Sequence, residues 1–223
     1  MTALLRYQAA LLVRSQRWLP PFILYVAFLG VGVQSGQPIL DSLGYAAAAL
    51  LPVAAWLVRI CVSNEPPAAR ACVSAAVGPV RAHLASLLVA FATAALLGAV
   101  ATLVVTLISD PVSADHQMRV PRFPAGAAGL IATLACALLG TAVGALTTWP
   151  LLRSPGRAVP AMLLAALLTM VTTGSPAQAA VQGLVTGSRE GTAPLPLLPL
   201  AAAALLTAGA TAVACVLTSR RSP

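Results

Sequence analysis

Residues 84–109 have the sequence LASLLVAFATAALLGAVATLVVTLIS, an apolar run without a charged side chain. A helix of this length crosses a bilayer with some tilt. Five similar stretches occupy residues 18–33, 43–62, 125–149, 158–173 and 195–217. The whole chain is 59% hydrophobic and 8% charged, with a mean hydropathy of +0.92, which is too little charge to cover the surface of a soluble domain. We predict one all-α transmembrane domain over residues 1–223, with six spans.

The arginines indicate how these spans are oriented. All thirteen basic residues are arginine, and ten of them lie beside one set of loops and three beside the other. Arginine near a span end is retained on the cytoplasmic side, so we predict that both termini are cytoplasmic in a bacterial inner membrane. The formal charge of +8 is spread over short loops, which favours anionic lipid headgroups over nucleic acid. The ten predicted cytoplasmic residues are Arg6, Arg14, Arg17, Arg59, Arg70, Arg81, Arg153, Arg157, Arg220 and Arg221; the three predicted outer residues are Arg119, Arg122 and Arg189.

Residues 1–17 are predicted to form an amphipathic helix in the plane of the headgroups. At roughly 100° per residue, four leucines share one arc, and three arginines occupy the opposite arc. Such a helix places its leucines toward lipid and its arginines toward phosphate. The leucines are Leu4, Leu5, Leu11 and Leu12, and the predicted interfacial anchors are Arg6, Arg14, Arg17 and Trp18.

The loop at residues 64–80 contains a second short amphipathic helix. Asn64-Glu65-Pro66-Pro67 is typical of a helix start, where acidic charge and proline are both tolerated. Gly78-Pro79 ends the segment. The helix either presses on a partner protein and moves both adjoining spans, or contacts only lipid, and the pattern does not separate these two interpretations. Its spacing places Ala69, Cys72, Val73, Ala76 and Val77 on one face and Arg70 and Ser74 on the other.

Two segments on the predicted outer side are less regular. Asp110, Asp115 and His116 could ligate a metal, but their spacing matches no known site, and a solvated loop is the preferred interpretation. The middle of residues 174–194, at 177–185, is moderately apolar but too short to span, and the segment could dip into the outer leaflet as a re-entrant piece. Gly32 to Gly36 and Gly140 to Gly144 match G-x-x-x-G, for which we favour packing within one chain over a dimer contact.

No motif for chemistry accompanies this architecture. The sequence has no P-loop, H-E-x-x-H or G-x-S-x-G, so we do not expect an enzyme, a bound cofactor or a metal in this chain. Arg59, near the end of the second span, is the only charge within the predicted spans. Ion-coupled carriers usually need ionisable groups at depth, which counts against a self-powered carrier.

The layout resembles the permease subunit of type-2 ABC transporters: an interfacial helix, six spans and a cytoplasmic helix between spans two and three. The closest local match covers residues 65–88, where Glu65 precedes the helix and Gly78-Pro79-Val80-Arg81 follows it. Pro66-Pro67 replaces the glycine and small hydroxyl residue that are usual in the family. The resemblance implies a coupling helix that contacts a separate ATP-binding subunit through Glu65, Ala69, Arg70, Val73, Gly78, Pro79 and Arg81.

The resemblance also implies the function. A second permease copy, identical or related, would pair with this one, and the partner subunit would bind ATP and Mg²⁺. We expect export of an amphiphilic small molecule, a lipid or a peptide. Two alternatives remain open from the sequence: a self-sufficient six-span carrier, and a membrane subunit that anchors or regulates a complex without transporting anything.

Overall fold

The computed structural model describes residues 1–148 and 155–221, except for the side chains of Pro67, Pro155, Arg220 and Arg221. Trp149 and Arg153 fall outside these residues, so the predicted end of the fourth span and one predicted cytoplasmic arginine are not placed. Within the described ranges the chain is helical, and it contains isolated β-bridges but no strand. The helices are α1 (Thr2–Ser15), α2 (Leu19–Gly32), α3 (Ile39–Ser63), α4 (Pro67–Val77), α5 (Pro79–Ile108), α6 (Arg122–Thr147), α7 (Pro155–Val171), α8 (Pro176–Glu190) and α9 (Leu197–Arg221).

Four of these helices, α3, α5, α6 and α9, are long and apolar enough to cross a membrane. The pair α7 and α8 is bent by 46° and passes the same test as one unit, which gives up to five candidate spans. The sequence predicts six. The difference lies mainly in α2, whose 14 residues extend about 21 Å, against a hydrocarbon core of about 30 Å. The part of the chain that the structure describes thus has four to five helices of spanning length, as in a multi-pass membrane protein.

Helices α3 and α6 form the centre of the bundle. In the most apolar 18-residue stretch of each helix, 67% of α3 and 72% of α6 is buried inside the protein, against 39% for α5 and 22% for α9. The close α3–α6 approach depends on Gly140 and Gly144. A Cβ at Gly144 would lie 2.9 Å from the Ala55 carbonyl oxygen, and one at Gly140 would collide with the Leu51 carbonyl. This G-x-x-x-G pair therefore packs within the chain, which confirms our preferred interpretation for it.

The other G-x-x-x-G match is not a helix-packing pair. Gly32 ends α2, and a Cβ there would collide with the ring of Tyr45. Gly36 lies beyond the helix with a φ of +89°, a conformation that favours glycine. The second glycine thus serves the turn between α2 and α3, and only the first permits close packing.

Hydroxyl groups connect the helices in the apolar interior. The Tyr25 hydroxyl donates to the Ala46 carbonyl at 3.0 Å. The Thr207 hydroxyl shares its one proton between the Ala203 carbonyl of its own helix, at 2.7 Å, and the Leu138 carbonyl of α6, at 2.9 Å. Thr102 and Thr133 share a hydrogen bond of 3.2 Å between α5 and α6. Such bonds satisfy polar groups that lipid could not hydrate and fix the neighbouring helices to one another.

The end of the bundle opposite α1 and α4 is closed by backbone pairing. The Ile39 amide donates to the Asp110 carbonyl at 3.1 Å, and the Ala114 amide donates to the Ser188 carbonyl at 2.8 Å. No group of three His, Cys, Asp or Glu side chains in the described ranges could hold a metal ion, so the metal interpretation of Asp110, Asp115 and His116 gains no support.

Residues 174–194 contain an ordered helix. Ala177, Ala180 and Leu184 on α8 are fully buried, and α8 packs against α3, α6 and α9. The bend between α7 and α8 fits both a broken span and a re-entrant segment.

Candidate functional site

The candidate site lies where α1, α4 and the adjoining ends of α3 and α5 meet, which we call the α1/α4 junction. Helix α1 ends at Ser15, and Gln16 reverses the chain with a φ of +53°. The side chains of Leu5 and Leu12 then pack into an apolar cluster that includes Val58 and Leu87. The leucine arc was expected to face lipid, but in the structure these two leucines face the protein. The arginines on the other arc, Arg6, Arg14 and Arg17, are exposed as expected.

Glu65 is the centre of this junction. Its side chain is only 6% exposed, and its carboxylate accepts a hydrogen bond of 3.1 Å from the Tyr7 hydroxyl and one of 3.4 Å from the Gln8 amide. Beside it, the Asn64 amide donates to the Leu11 carbonyl at 3.0 Å. The sequence suggested that Glu65 favours the start of α4 by its charge, but α4 has no side-chain cap. Glu65 instead fastens α1 to the loop between α3 and α4.

The contact with Glu65 alters the acidity of Tyr7. The pKa of the phenol is raised above 10.0, first because burial disfavours the phenolate and then because the hydrogen bond and negative charge of Glu65 act in the same direction. The hydroxyl therefore remains a hydrogen-bond donor throughout the physiological range of pH.

Arg70 points back toward the membrane helices. Its guanidinium donates to the Val62 carbonyl and, at 3.5 Å, to the Glu65 carbonyl. Val62 belongs to the last turn of α3, where the orphan carbonyls and the negative end of the helix dipole favour a cation. The neighbouring side chain of His83, on α5, is buried at 7% exposure. Arg70 thus connects α4 to the end of α3.

The structure reverses part of the predicted face assignment of α4. The half-buried residues are Ala69, Arg70, Val73, Ser74 and Val77, whereas Ala68, Ala71, Cys72, Ala75 and Ala76 are exposed. We expected Arg70 and Ser74 to lie opposite Val73, but all three lie on the inner side, because the Arg70 side chain bonds to α3. The outward face consists of alanine and one cysteine. These short side chains have little conformational entropy to lose when another protein binds to them.

A rigid elbow joins α4 to α5. Gly78 has a φ of +87°, which favours glycine, and its amide donates to the Ser74 carbonyl at 2.9 Å. Pro79 is the first residue of α5, where its fixed φ suits the first turn and its missing N–H costs nothing. Arg81 follows on the exposed side. At the corner between α1 and α2, the half-buried Trp18 ring meets Phe22 edge-on, with the ring centroids 5.7 Å apart.

The structure thus brings together some of the predicted site residues and separates others. Glu65 and Arg70 meet at the junction, and Gly78 and Pro79 form the elbow. Ala69 and Val73 belong to the inner face of α4, while Arg81 is exposed beside the elbow. Three residues of the junction, Tyr7, Gln8 and His83, were not predicted from the sequence. A signal existed for Gln8, since it is a polar residue in the middle of the arc shared by Leu4, Leu5, Leu11 and Leu12.

No protein-family model, curated protein or solved structure matches the chain. The described residues show a multi-pass α-helical membrane protein with a buried polar junction at one end.

Proposed function

We propose that the chain is the membrane-spanning permease subunit of an ATP-driven transporter of the ABC type, located in the cytoplasmic membrane. The observation that carries the proposal is the geometry of α4. It is a surface helix between two spans, α3 and α5, with an outward face of small side chains and an inward face bonded to α3. When a partner protein displaces a helix in this position, both adjoining spans move with it.

The contacts of the junction support such a transfer. A displacement of α4 pulls on the end of α3 through Arg70, and through the Gly78-Pro79 elbow it moves α5. Glu65 adds α1 to the same unit through Tyr7 and Gln8. Binding of ATP by the partner subunit would favour one position of this unit and nucleotide release the other, as in a two-state element driven by differential binding.

The exposed face of α4 revises the contact that the resemblance implies. In our proposal the ATP-binding subunit meets Ala71, Cys72 and Ala75, and Arg81 beside the elbow. Glu65, Ala69, Arg70 and Val73 hold α4 in place from behind.

A second copy of the permease would complete the pathway. Gly140 and Gly144 bring α3 and α6 so close that no solute could pass between these two helices. By contrast, α5 and α9 leave much of their apolar surface uncovered, which suits contact with lipid and with a second copy. Exposed apolar walls favour an amphiphilic cargo over a small ion. The direction of transport in this proposal is export.

The test is affinity purification of the chain from its native membrane, with identification of any ATP-binding subunit among the proteins that co-purify. We expect the double variant Ala71→Glu, Ala75→Glu to lose the partner, because it places two charged side chains on the outward face of α4. The matched control is Ala3→Glu, Ala10→Glu, which makes the same changes at exposed positions of α1 and should retain the partner. Retention by both variants would overturn the proposed contact.

A second measurement separates transport from anchoring. ATP hydrolysis by the purified complex should rise when a transported amphiphile is added, and the Ala71→Glu, Ala75→Glu variant should lose that stimulation. A complex that forms but never responds to any amphiphile would favour the alternative of a non-transporting anchor.

A further inference from the structure

A lateral groove opens between α2, α3 and α5. It has a volume of about 240 Å³. It begins near the α1/α4 junction at Trp18 and extends along α5 from Thr93 to Val100, about 10 Å at the helical rise. The seven residues that line it are Trp18, Phe22, Leu57, Thr93, Leu96, Leu97 and Val100.

The groove is suited to an apolar occupant. Thr93 carries the one aliphatic hydroxyl in the lining, and this group already donates to the Val89 carbonyl at 2.8 Å. Water in the groove would therefore find few partners, and apolar cavities of about 150 Å³ are known to stay dry and to take up apolar molecules. The outer wall is formed by Leu96 and Val100, which are 67% and 52% exposed, so the groove lies on the face that the bundle turns toward lipid.

Positive charge lies at the end of the groove near the junction. Trp18 is preceded by Arg17, and Arg14 lies in the last turn of α1; both arginines are exposed. The reversal at Gln16 brings the end of α1 and the start of α2 together at this corner. A guanidinium binds phosphate oxygens by charge-assisted hydrogen bonds, and tryptophan is favoured at the boundary between hydrocarbon and headgroups.

We propose that this groove binds one phospholipid with an anionic headgroup. An acyl chain lies along Leu57, Leu97 and Val100, and the phosphate lies at Arg17. The bound lipid fills the gap between α2 and α5, which the protein does not close with its own side chains. This proposal requires only that the chain lies in a membrane, and it stands whether or not the chain works with an ATP-binding subunit.

The experiment uses Trp18 as the reporter. The other two tryptophans, Trp56 and Trp149, are replaced by phenylalanine, and the full chain is kept in detergent while phosphatidylglycerol with brominated acyl chains is added at low mole fractions. We expect saturable quenching of Trp18 fluorescence. Brominated phosphatidylcholine should bind about fivefold more weakly, corresponding to about 1 kcal/mol for an arginine near an anionic surface.

Four variants define the site. Leu97→Phe places a larger ring in the groove and should abolish saturable quenching, whereas Leu103→Phe, at a 62% exposed position of α5 outside the lining, should leave it unchanged. If Leu97→Phe fails to fold, Val100→Phe at the exposed wall makes the same test. Arg17→Gln should remove the preference for phosphatidylglycerol. Quenching that rises linearly with lipid concentration and is the same in Leu97→Phe would overturn the site. Equal binding of the two lipids by the unmodified groove would overturn the headgroup assignment.

Discussion

Replacing Glu65 by alanine should release α1 from the rest of the protein. The buried carboxylate accepts hydrogen bonds from Tyr7 and Gln8, and its removal leaves the Gln8 amide, at 4% exposure, without this acceptor. Losing a hydrogen bond to a charged group costs about 1.5–3 kcal/mol. Tyr7 is partly exposed, at 37%, and adds less to this loss, since water can replace Glu65 as the partner of its hydroxyl.

A loss of that size shifts the docking equilibrium of α1 by about ten- to a hundredfold, since about 1.4 kcal/mol is a factor of ten. Hydrogen exchange of the protein in lipid nanodiscs measures this shift directly. Amides of residues 2–15 should exchange about ten- to a hundredfold faster in Glu65→Ala, while those of α3 and α6 should not change.

The control for this prediction is Glu190→Ala, which removes an exposed carboxylate at the other end of the bundle and should leave the exchange of α1 as it was. If Glu65→Ala leaves the exchange of α1 unchanged, Glu65 does not fasten α1, and α1 does not move together with α3, α4 and α5 as proposed. If exchange accelerates throughout the bundle, the role of Glu65 is general stability and is not confined to the junction.

Two further predictions test the interior and the junction. Gly144→Ala should destabilise the bundle by about 1–3 kcal/mol, because its Cβ would overlap Val58 and the α3 backbone; Gly209→Ala, which meets no atom within 4 Å, should be neutral or stabilising when thermal unfolding in detergent is compared. Tyr7 should titrate above pH 10. As the pH rises beyond 10, α1 should dock more weakly, because the phenol has a lower pKa in released α1 than in docked α1 and so loses its proton there first. With the other two tyrosines changed to phenylalanine, Glu65→Gln should lower this pKa without returning it to 10.0, since burial remains; an unchanged phenolate absorbance curve would contradict the contact.

The spans were visible in the sequence because a long apolar run has few stable alternatives. Of the predicted span 84–109, residues 84–108 lie within α5, and of the predicted span 125–149, residues 125–147 lie within α6. The stretch 18–33 was predicted to be a short span with Pro20 and Pro21 at its start, and it forms a helix of 14 residues. The bounds of this helix were predicted to within one residue, but a helix of this length is shorter than the hydrocarbon core of a bilayer.

The junction was harder to predict, because it depends on contacts between distant residues. Glu65 was singled out for its position before α4, but its partners Tyr7 and Gln8 are 58 and 57 residues away. The orientation of α4 was likewise hidden, since helical spacing defines two faces without saying which one is inward. The hydrogen bond from Arg70 to the end of α3 determines which face of α4 is inward. This bond cannot be predicted from the local sequence pattern.

The most direct test of the central claim is the side of the membrane on which α4 lies. Cys72 is exposed on its outward face, so a chain whose other three cysteines are replaced by alanine carries one natural label site there. When the chain is expressed without an ATP-binding subunit, which would cover this face, a membrane-impermeant maleimide should label Cys72 in inside-out vesicles and not in intact cells. A chain that instead carries Asp115→Cys as its only cysteine should show the reverse. Labelling of Cys72 from outside intact cells would contradict the account, because α4 could then receive no push from an ATP-binding subunit in the cytoplasm.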